Sequence, residues 1–302
     1  MSRKFRVNWH EAASCAFQIE LKEYSDLLKY IEEYAIGKNK YRIDLLIIKK
    51  LSDIMIPKNI ARIFKTFNLL KIKGVGSSIG TDSYYKTIGY AGLLTWQTGG
   101  TNQYSALDIS LTFLSLHYPR NLMRHLNKER KLTVEKVSPG VYYINKETFY
   151  TQIIVAKELS PEDNLYLRCL ADRLRNDRLA NKLADDWRKH KDEDIYIKYL
   201  HQLTTANMKK KGELPMVCEG LLNLCGTSSE EIIARTKKED EEYYQPKIDQ
   251  LSSQNEKLST RNEKLSSRNE KLSSRVDDLS SQITYLKSLL IQNNIPFETN
   301  NG

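Results

Sequence analysis

The chain lacks most of the patterns that announce common chemistries. Its 302 residues include four cysteines, Cys15, Cys169, Cys218 and Cys225. None forms a C-x-x-C pair, and none has a histidine partner at zinc-finger spacing. That argues against a structural zinc site and for reduced, mostly buried thiols in a cytoplasmic protein. No run of about 18 apolar residues occurs, so no segment is expected to cross a membrane. The basic start Met1-Ser2-Arg3-Lys4-Phe5-Arg6 leads into no apolar secretion-signal stretch. Gly74-Val75-Gly76-Ser77-Ser78-Ile79-Gly80 sits between strand and helix patterns, as a dinucleotide loop would. Its third glycine comes one residue too late, and no Gly-Lys-Ser/Thr ending makes it a P-loop. His10-Glu11 lacks the second histidine of a zinc protease motif, and His117 and His125 read as helix-end or surface residues.

What is present is basic and globular. Hydrophobic residues make up 40% and charged residues 28%, which fits a folded soluble class. The net charge of +9 favours a polyanionic partner, nucleic acid first.

The spacing of Phe17, Leu21, Tyr24, Leu28 and Ile31 predicts a helix over 9–35. Residues 41–49 read as a strand buried on both faces. A short helix near 58–67 leads to a strand over 68–73, and a helix follows from Asp82 to Leu94 with Thr81 as N-cap. Gly99-Gly100 marks a turn and Leu107 to Leu116 a strand. A helix runs from Pro119 to about Arg130. Lys131 to Ser138 and Val141 to Asn145 flank Pro139-Gly140 as a hairpin, and Thr151 to Ala156 is another strand. Ser160-Pro161-Glu162-Asp163 opens a long helix, and helices continue, broken at Lys209-Lys210-Lys211-Gly212 and Leu214-Pro215. Ser228 with Glu231 forms a capping-box start for a helix near 229–243. The organisation is thus an α/β domain over 1–160, a helical extension over 161–243, a rod over 244–292 and a disordered tail over 293–302.

The rod is written in heptads. Leu251, Leu258, Leu265, Leu272, Leu279 and Leu286 take the d positions. Ile248, Asn255, Asn262, Asn269, Val276, Ile283 and Leu290 take the a positions. Leucine at d with asparagine at a favours a parallel, two-stranded, in-register coiled coil of the chain with itself. The three asparagine layers weaken its N-terminal half relative to Val276–Leu290. The preceding Glu239-Asp240-Glu241-Glu242 is acidic, which excludes a DNA-binding basic region of the zipper type.

The candidate site lies on two short strands. Asp44 falls in Tyr41-Arg42-Ile43-Asp44-Leu45-Leu46-Ile47-Ile48, and Lys71 and Lys73 alternate on one face of Asn68-Leu69-Leu70-Lys71-Ile72-Lys73-Gly74. An acid on one strand and a charged pair, one residue apart, on the next is a layout for metal-dependent phosphodiester hydrolysis. Carboxylates hold Mg²⁺, the metal lowers the pKa of bound water, and a lysine steadies developing charge. Here one member, Lys71, has the wrong sign. As a bland alternative, Asp44 is a turn or surface acid and the lysines guard an edge strand. Tyr84, Tyr85, Lys86 and Tyr90 suit nucleic-acid contact, although Tyr90 with Ile88 also fits a core stripe.

The surrounding strings carry a resemblance. They are Trp9-His10-Glu11-Ala12, Gln18-Ile19-Glu20-Leu21, Tyr41 to Lys50, Asn59-Ile60-Ala61-Arg62-Ile63-Phe64 and Asp82-Ser83-Tyr84-Tyr85-Lys86 with Gly89-Tyr90-Ala91. They continue through Leu111-Thr112-Phe113, Tyr118-Pro119-Arg120, Gly140 to Ile144 and Gln152 to Val155. Over about residues 5–175 the chain resembles the PD-(D/E)XK nuclease superfamily, in particular bacterial recombination-promoting nucleases and nuclease-family transposases. The resemblance implies a restriction-endonuclease-like mixed sheet flanked by helices, a DNA substrate, and a Mg²⁺-dependent DNA endonuclease, a hydrolase. It implies Asp44 and Lys73 as catalytic residues, and Asp44 with the helix-borne Glu20 as metal ligands. Lys71 stands where the family pattern has glutamate, so Mg²⁺ binding and cleavage are expected to be weakened or lost, unless an acid such as Glu20 or Asp82 substitutes. The alternative is a catalytically inactive DNA- or protein-binding module assembled by its coiled coil.

Overall fold

The computed structural model describes residues 9–36, 41–49, 54–74, 77–97, 105–172, 177–207 and 216–293. Those residues divide into two compact units, residues 1–236 and 237–302.

The first unit is built on a seven-stranded mixed sheet flanked by helices. Helix α1 (Trp9–Glu20) precedes β1 (Leu28–Ile36), β2 (Tyr41–Lys49) and β3 (Phe67–Lys73). Helix α2 (Thr81–Gln97) leads to β4 (Ile109–Ser115), and α3 (Arg120–Arg124) continues as a π-turn over His125–Glu129. Strands β5 (Thr133–Ser138), β6 (Val141–Asn145) and β7 (Tyr150–Val155) complete the sheet. Its order is β1-β2-β3-β4-β7-β6-β5. Strands β1, β2 and β3 form an antiparallel meander, β3, β4 and β7 run parallel, and β6 and β5 close the far side antiparallel. The parallel pairing of β3 with β4 is made possible by the crossover through α2.

Each face of the sheet buries its own core. Leu45, Ile47, Leu70, Ile72, Leu114 and Ile154 pack under α1 and under α4 (Leu165–Asp172), α5 (Asp177–Lys189), α6 (Asp194–Asn207) and α7 (Met216–Cys225). The C-terminal helices therefore share one core with α1. Leu46, Leu69, Leu111, Phe113 and Ile153 pack on the opposite face with Tyr84, Ala91 and Leu94 of α2. Central strands are covered on both sides: β2 carries a near-continuous apolar run, and β4 is buried along its whole length, with Ser110, Thr112 and Ser115 among its residues. Asn68, wholly buried in β3, hydrogen-bonds the Ile47 carbonyl of β2 and the Ser110 hydroxyl of β4, tying three strands together.

Two expected helices are corrected. The helix expected over 9–35 ends at Glu20, and a 3₁₀ segment, Lys22–Leu27, leads into β1 instead. Tyr24 takes non-helical backbone angles there, and residues 28–36 pair with β2. As an edge strand, β1 buries only its two end residues, so its weak apolar pattern mimics a helical period. The helix expected near 58–67 is a set of turns, with Ala61 N–H donating to Lys58 O and Phe64 N–H to Ala61 O.

The hairpin at Pro139-Gly140 forms, with Gly140 at a left-handed φ of 73°. The capping box forms too: Glu231 N–H donates to Ser228 Oγ at 3.1 Å, and Ser228 N–H to the Glu231 carboxylate at 3.3 Å. Helix α8, Ser229–Gln292, follows with Pro246 in its interior. In the second unit Ile248, Leu251, Leu258, Leu265, Leu272, Leu279, Ile283 and Leu286 are all exposed. No helix among the described residues is long and apolar enough to cross a membrane. The expected turn at Gly99-Gly100, the breaks at Lys209–Gly212 and Leu214-Pro215, and the tail beyond Asn293 lie outside the described residues.

Candidate functional site

Strands β2 and β3 bring Asp44 and Lys71 face to face. Their register pairs Leu45 with Leu70 and Leu46 with Leu69, so the next step places Asp44 opposite Lys71. The backbone pairing of the two strands ends one residue short of it, at Leu45 and Leu70. The Asp44 carboxylate reaches across instead, Oδ2 accepting the Ile72 N–H at 2.8 Å and Oδ1 the Lys71 ammonium at 2.7 Å. Asp44 is buried, and the Lys71 side chain keeps 23% of its exposure. Two unit charges at this distance attract by roughly 6 kcal/mol at an effective dielectric of about 20, before desolvation is charged against them.

The backbone is irregular at this point. Strict alternation would place Ile43 with Leu45 and Ile47, yet Ile43 packs in the core of the opposite face. Glu33 and Asp44 occupy the gap in the β1–β2 pairing, and Glu33 adopts a left-handed φ of 48°. His10 lies between them, Nδ1 at 3.3 Å from Glu33 Oε1 and Nε2 at 3.6 Å from Asp44 Oδ2. His10 sits in the first turn of α1, beside Trp9, which in turn covers Gly74 at the end of β3. A Cβ at Gly74 would come 2.3 Å from Trp9 Cγ, so only glycine lets the helix start seat this closely.

Not every expected site residue joins this cluster. Lys73 follows Lys71 on the same strand face, half-buried, and makes no ion pair with Asp44. Glu20 is at the other end of α1, about 15 Å of helix from His10. There Oε1 accepts the Tyr166 N–H at 2.7 Å, beside the start of α4, and Oε2 pairs with Lys58 at 3.1 Å. Burial pushes its pKa up, against the opposing pull of Lys58 and the Tyr166 N–H. Asp82 is exposed in the first turn of α2. Tyr84 is wholly buried, Tyr85 is exposed, and the Lys86 ammonium lies 5.7 Å from the Tyr90 ring centre.

The donor set at Asp44 does not fit a resident Mg²⁺. A hard divalent ion needs several oxygen ligands, and here one carboxylate oxygen carries an ammonium and the other a backbone N–H. Among the described residues no three His, Cys, Asp or Glu side chains converge as metal ligands. The arrangement supplies a fixed internal cation instead.

Sequence reasoning missed His10 and Glu33 at this site, and a second polar cluster. Tyr84 donates to Glu147, and the Arg130 guanidinium lies 3.9 Å from the same carboxylate. Arg130 also donates to the Tyr85 hydroxyl at 3.2 Å, which lies 2.7 Å from His125 Nε2. His125 Nδ1 is 2.6 Å from Glu129 on the π-turn. That turn breaks the helical period, and no residue pattern announced it. Cys15, Cys169 and Cys225 are buried, and burial pushes the Cys225 thiol up to about 12.

No family model, no curated protein and no solved structure matches this chain. The class established for it is an α/β protein with a seven-stranded mixed sheet, helices on both faces and a long C-terminal helix.

Proposed function

We propose that this chain is a PD-(D/E)XK-related module that binds DNA without cutting it and is assembled in copies by its coiled coil. The order α1-β1-β2-β3-α2-β4 supports the restriction-endonuclease-like reading, because it sets helices on opposite faces of a mixed sheet. It also puts Asp44 and the Lys71-Ile72-Lys73 pair on adjacent strands, as the family layout requires. One observation carries the loss of cleavage: the Lys71 ammonium sits on Asp44 at 2.7 Å, where a metal-dependent nuclease needs a second carboxylate and a divalent ion. Hydrolysis would require a metal-activated water, and the ammonium offers no open coordination position. The net charge of +9 supports DNA as the partner. The burial of Cys15, Cys169 and Cys225 is compatible with the reducing cytoplasm.

The test is plasmid DNA incubated with purified protein and Mg²⁺ or Mn²⁺, alongside Lys71→Glu and Asp44→Ala. The native chain leaves the plasmid supercoiled. Nicking by the native chain that Asp44→Ala abolishes would overturn the proposal. Nicking that appears only in Lys71→Glu identifies the missing carboxylate as the defect.

A further inference from the structure

We propose that the rod itself is a DNA-contacting surface, through a continuous basic stripe beside the coiled-coil seam. The heptad frame puts Arg261, Arg268 and Arg275 at g, next to the a positions, and Lys257, Lys264 and Lys271 at c. In chain order these six residues are spaced 4, 3, 4, 3 and 4 apart, so each is the helical neighbour of the next. All six are exposed on α8, and among the described residues none makes an ion pair.

The glutamates of the repeat lie off this stripe, and Asp278, at c three residues beyond Arg275, ends it. Glu256, Glu263 and Glu270 fall at b, on another side of the helix. Their neighbours three and four residues away are all serine or threonine. Like charges at these spacings oppose the helix unless a counter-charge covers them. A second copy of the chain does not supply it. In a parallel dimer each g faces the following e of the partner helix, and Ser266, Ser273 and Ser280, which face Arg261, Arg268 and Arg275, are neutral. An antiparallel dimer would set arginine beside arginine. The seam can therefore be satisfied while the stripe stays open to a polyanion.

The dimensions suit nucleic acid. From residue 257 to 275 the stripe spans about 27 Å, one positive charge per about 5 Å. One strand of duplex DNA offers a phosphate per about 3.4 Å of axis, a linear array of similar pitch. Charges without a set of base-reading side chains give contact independent of sequence. The proposal deepens the DNA-binding reading above and rests on it only for the choice of DNA among polyanions.

Fluorescence anisotropy of the full chain with a labelled duplex of about 30 base pairs, from 50 to 200 mM salt, tests it. The comparison is with Arg261→Gln/Arg268→Gln/Arg275→Gln, a change the frame already accepts, since Gln254 and Gln282 occupy g. A second variant, Lys257→Gln/Lys264→Gln/Lys271→Gln, alters only positions off the seam. Each variant is expected to bind at least tenfold more weakly at 100 mM salt. The slope of log K against log salt is expected to be shallower by about 3, the share of three phosphate contacts. Equal binding and equal slopes in all three proteins would overturn the rod proposal while leaving the DNA reading intact. No binding by any of them would remove both. Capture by phosphatidylserine vesicles with no DNA binding would assign the stripe to a membrane surface and overturn it as well.

Discussion

The ammonium of Lys71 stands 2.7 Å from Asp44 Oδ1, and the N–H of the next residue, Ile72, stands 2.8 Å from Oδ2. One carboxylate thus closes two donors of the neighbouring strand and replaces a backbone step of the ladder. A buried acid so held is neutralised within the fold. Loss of either partner leaves the other uncompensated, which costs more than the intact pair contributes.

A double-mutant cycle measures this directly. Asp44→Asn keeps an acceptor for the Ile72 N–H and removes the charge, and Lys71→Met keeps the stem and removes the ammonium. Each single change is expected to lower unfolding free energy by about 2–4 kcal/mol in urea titrations. The double change should lose clearly less than the sum, with a coupling of about 1–3 kcal/mol. Strict additivity would show that the contact contributes nothing.

Glu20 gives a pH signature of the opposite kind. Its folded-state pKa is raised by burial, so the native state holds this proton more tightly than the unfolded chain. Its contribution is fully present below the ordinary carboxylate pKa and is lost as pH rises from there through the raised folded value. Glu20→Gln, which keeps an oxygen for the Tyr166 N–H, should flatten that part of the stability–pH curve. Denaturant melts between pH 4 and neutrality check it, and parallel curves for the two proteins would contradict it.

Gly74→Ala is expected to disturb the cluster from the far side. The added methyl would meet Trp9 at 2.3 Å and push the first turn of α1, with His10, away from Asp44. A loss of about 1–3 kcal/mol is expected, the usual range for overpacking, with a change in tryptophan fluorescence. Gly80→Ala, where an added Cβ meets nothing within 4 Å, is the control and should leave the emission unchanged.

The rod makes a simpler prediction. Its apolar a and d residues from Ile248 to Leu286 are exposed in a single copy of the chain, and burying them against a second copy removes that apolar surface from water. Truncation near Gln245 should convert a dimer into a monomer by sedimentation equilibrium. An unchanged oligomeric mass would refute the coiled-coil assignment.

Much of this architecture could be read from the residues, and where it could not, tertiary pairing was responsible. The apolar run of β2, the alternating lysines of β3, the Pro139-Gly140 hairpin and the Ser228–Glu231 box are local signals, and they form. Strand β1 was hidden because an edge strand needs little burial, and Leu28 and Ile31 also satisfy a helical period. The meeting of Asp44 with Lys71 depends on the register of β2 against β3, which neither segment encodes alone. His10 and Glu33 come from a helix start and from a left-handed residue at a gap in strand pairing, features without a sequence period. Glu20 lies on the expected helix, but ten residues of helix carry it away from His10.

The most direct test of an internal cation in the metal's place is thermal unfolding with and without millimolar Mg²⁺, for the native chain and for Lys71→Glu. Lys71→Glu sets a second carboxylate against Asp44, so its melting temperature should fall without metal and recover with Mg²⁺, because a ligand bound only to the folded state stabilises it. The native melting temperature should not respond to Mg²⁺. A native chain that Mg²⁺ stabilises by several degrees, with the response lost in Asp44→Ala, would contradict the account.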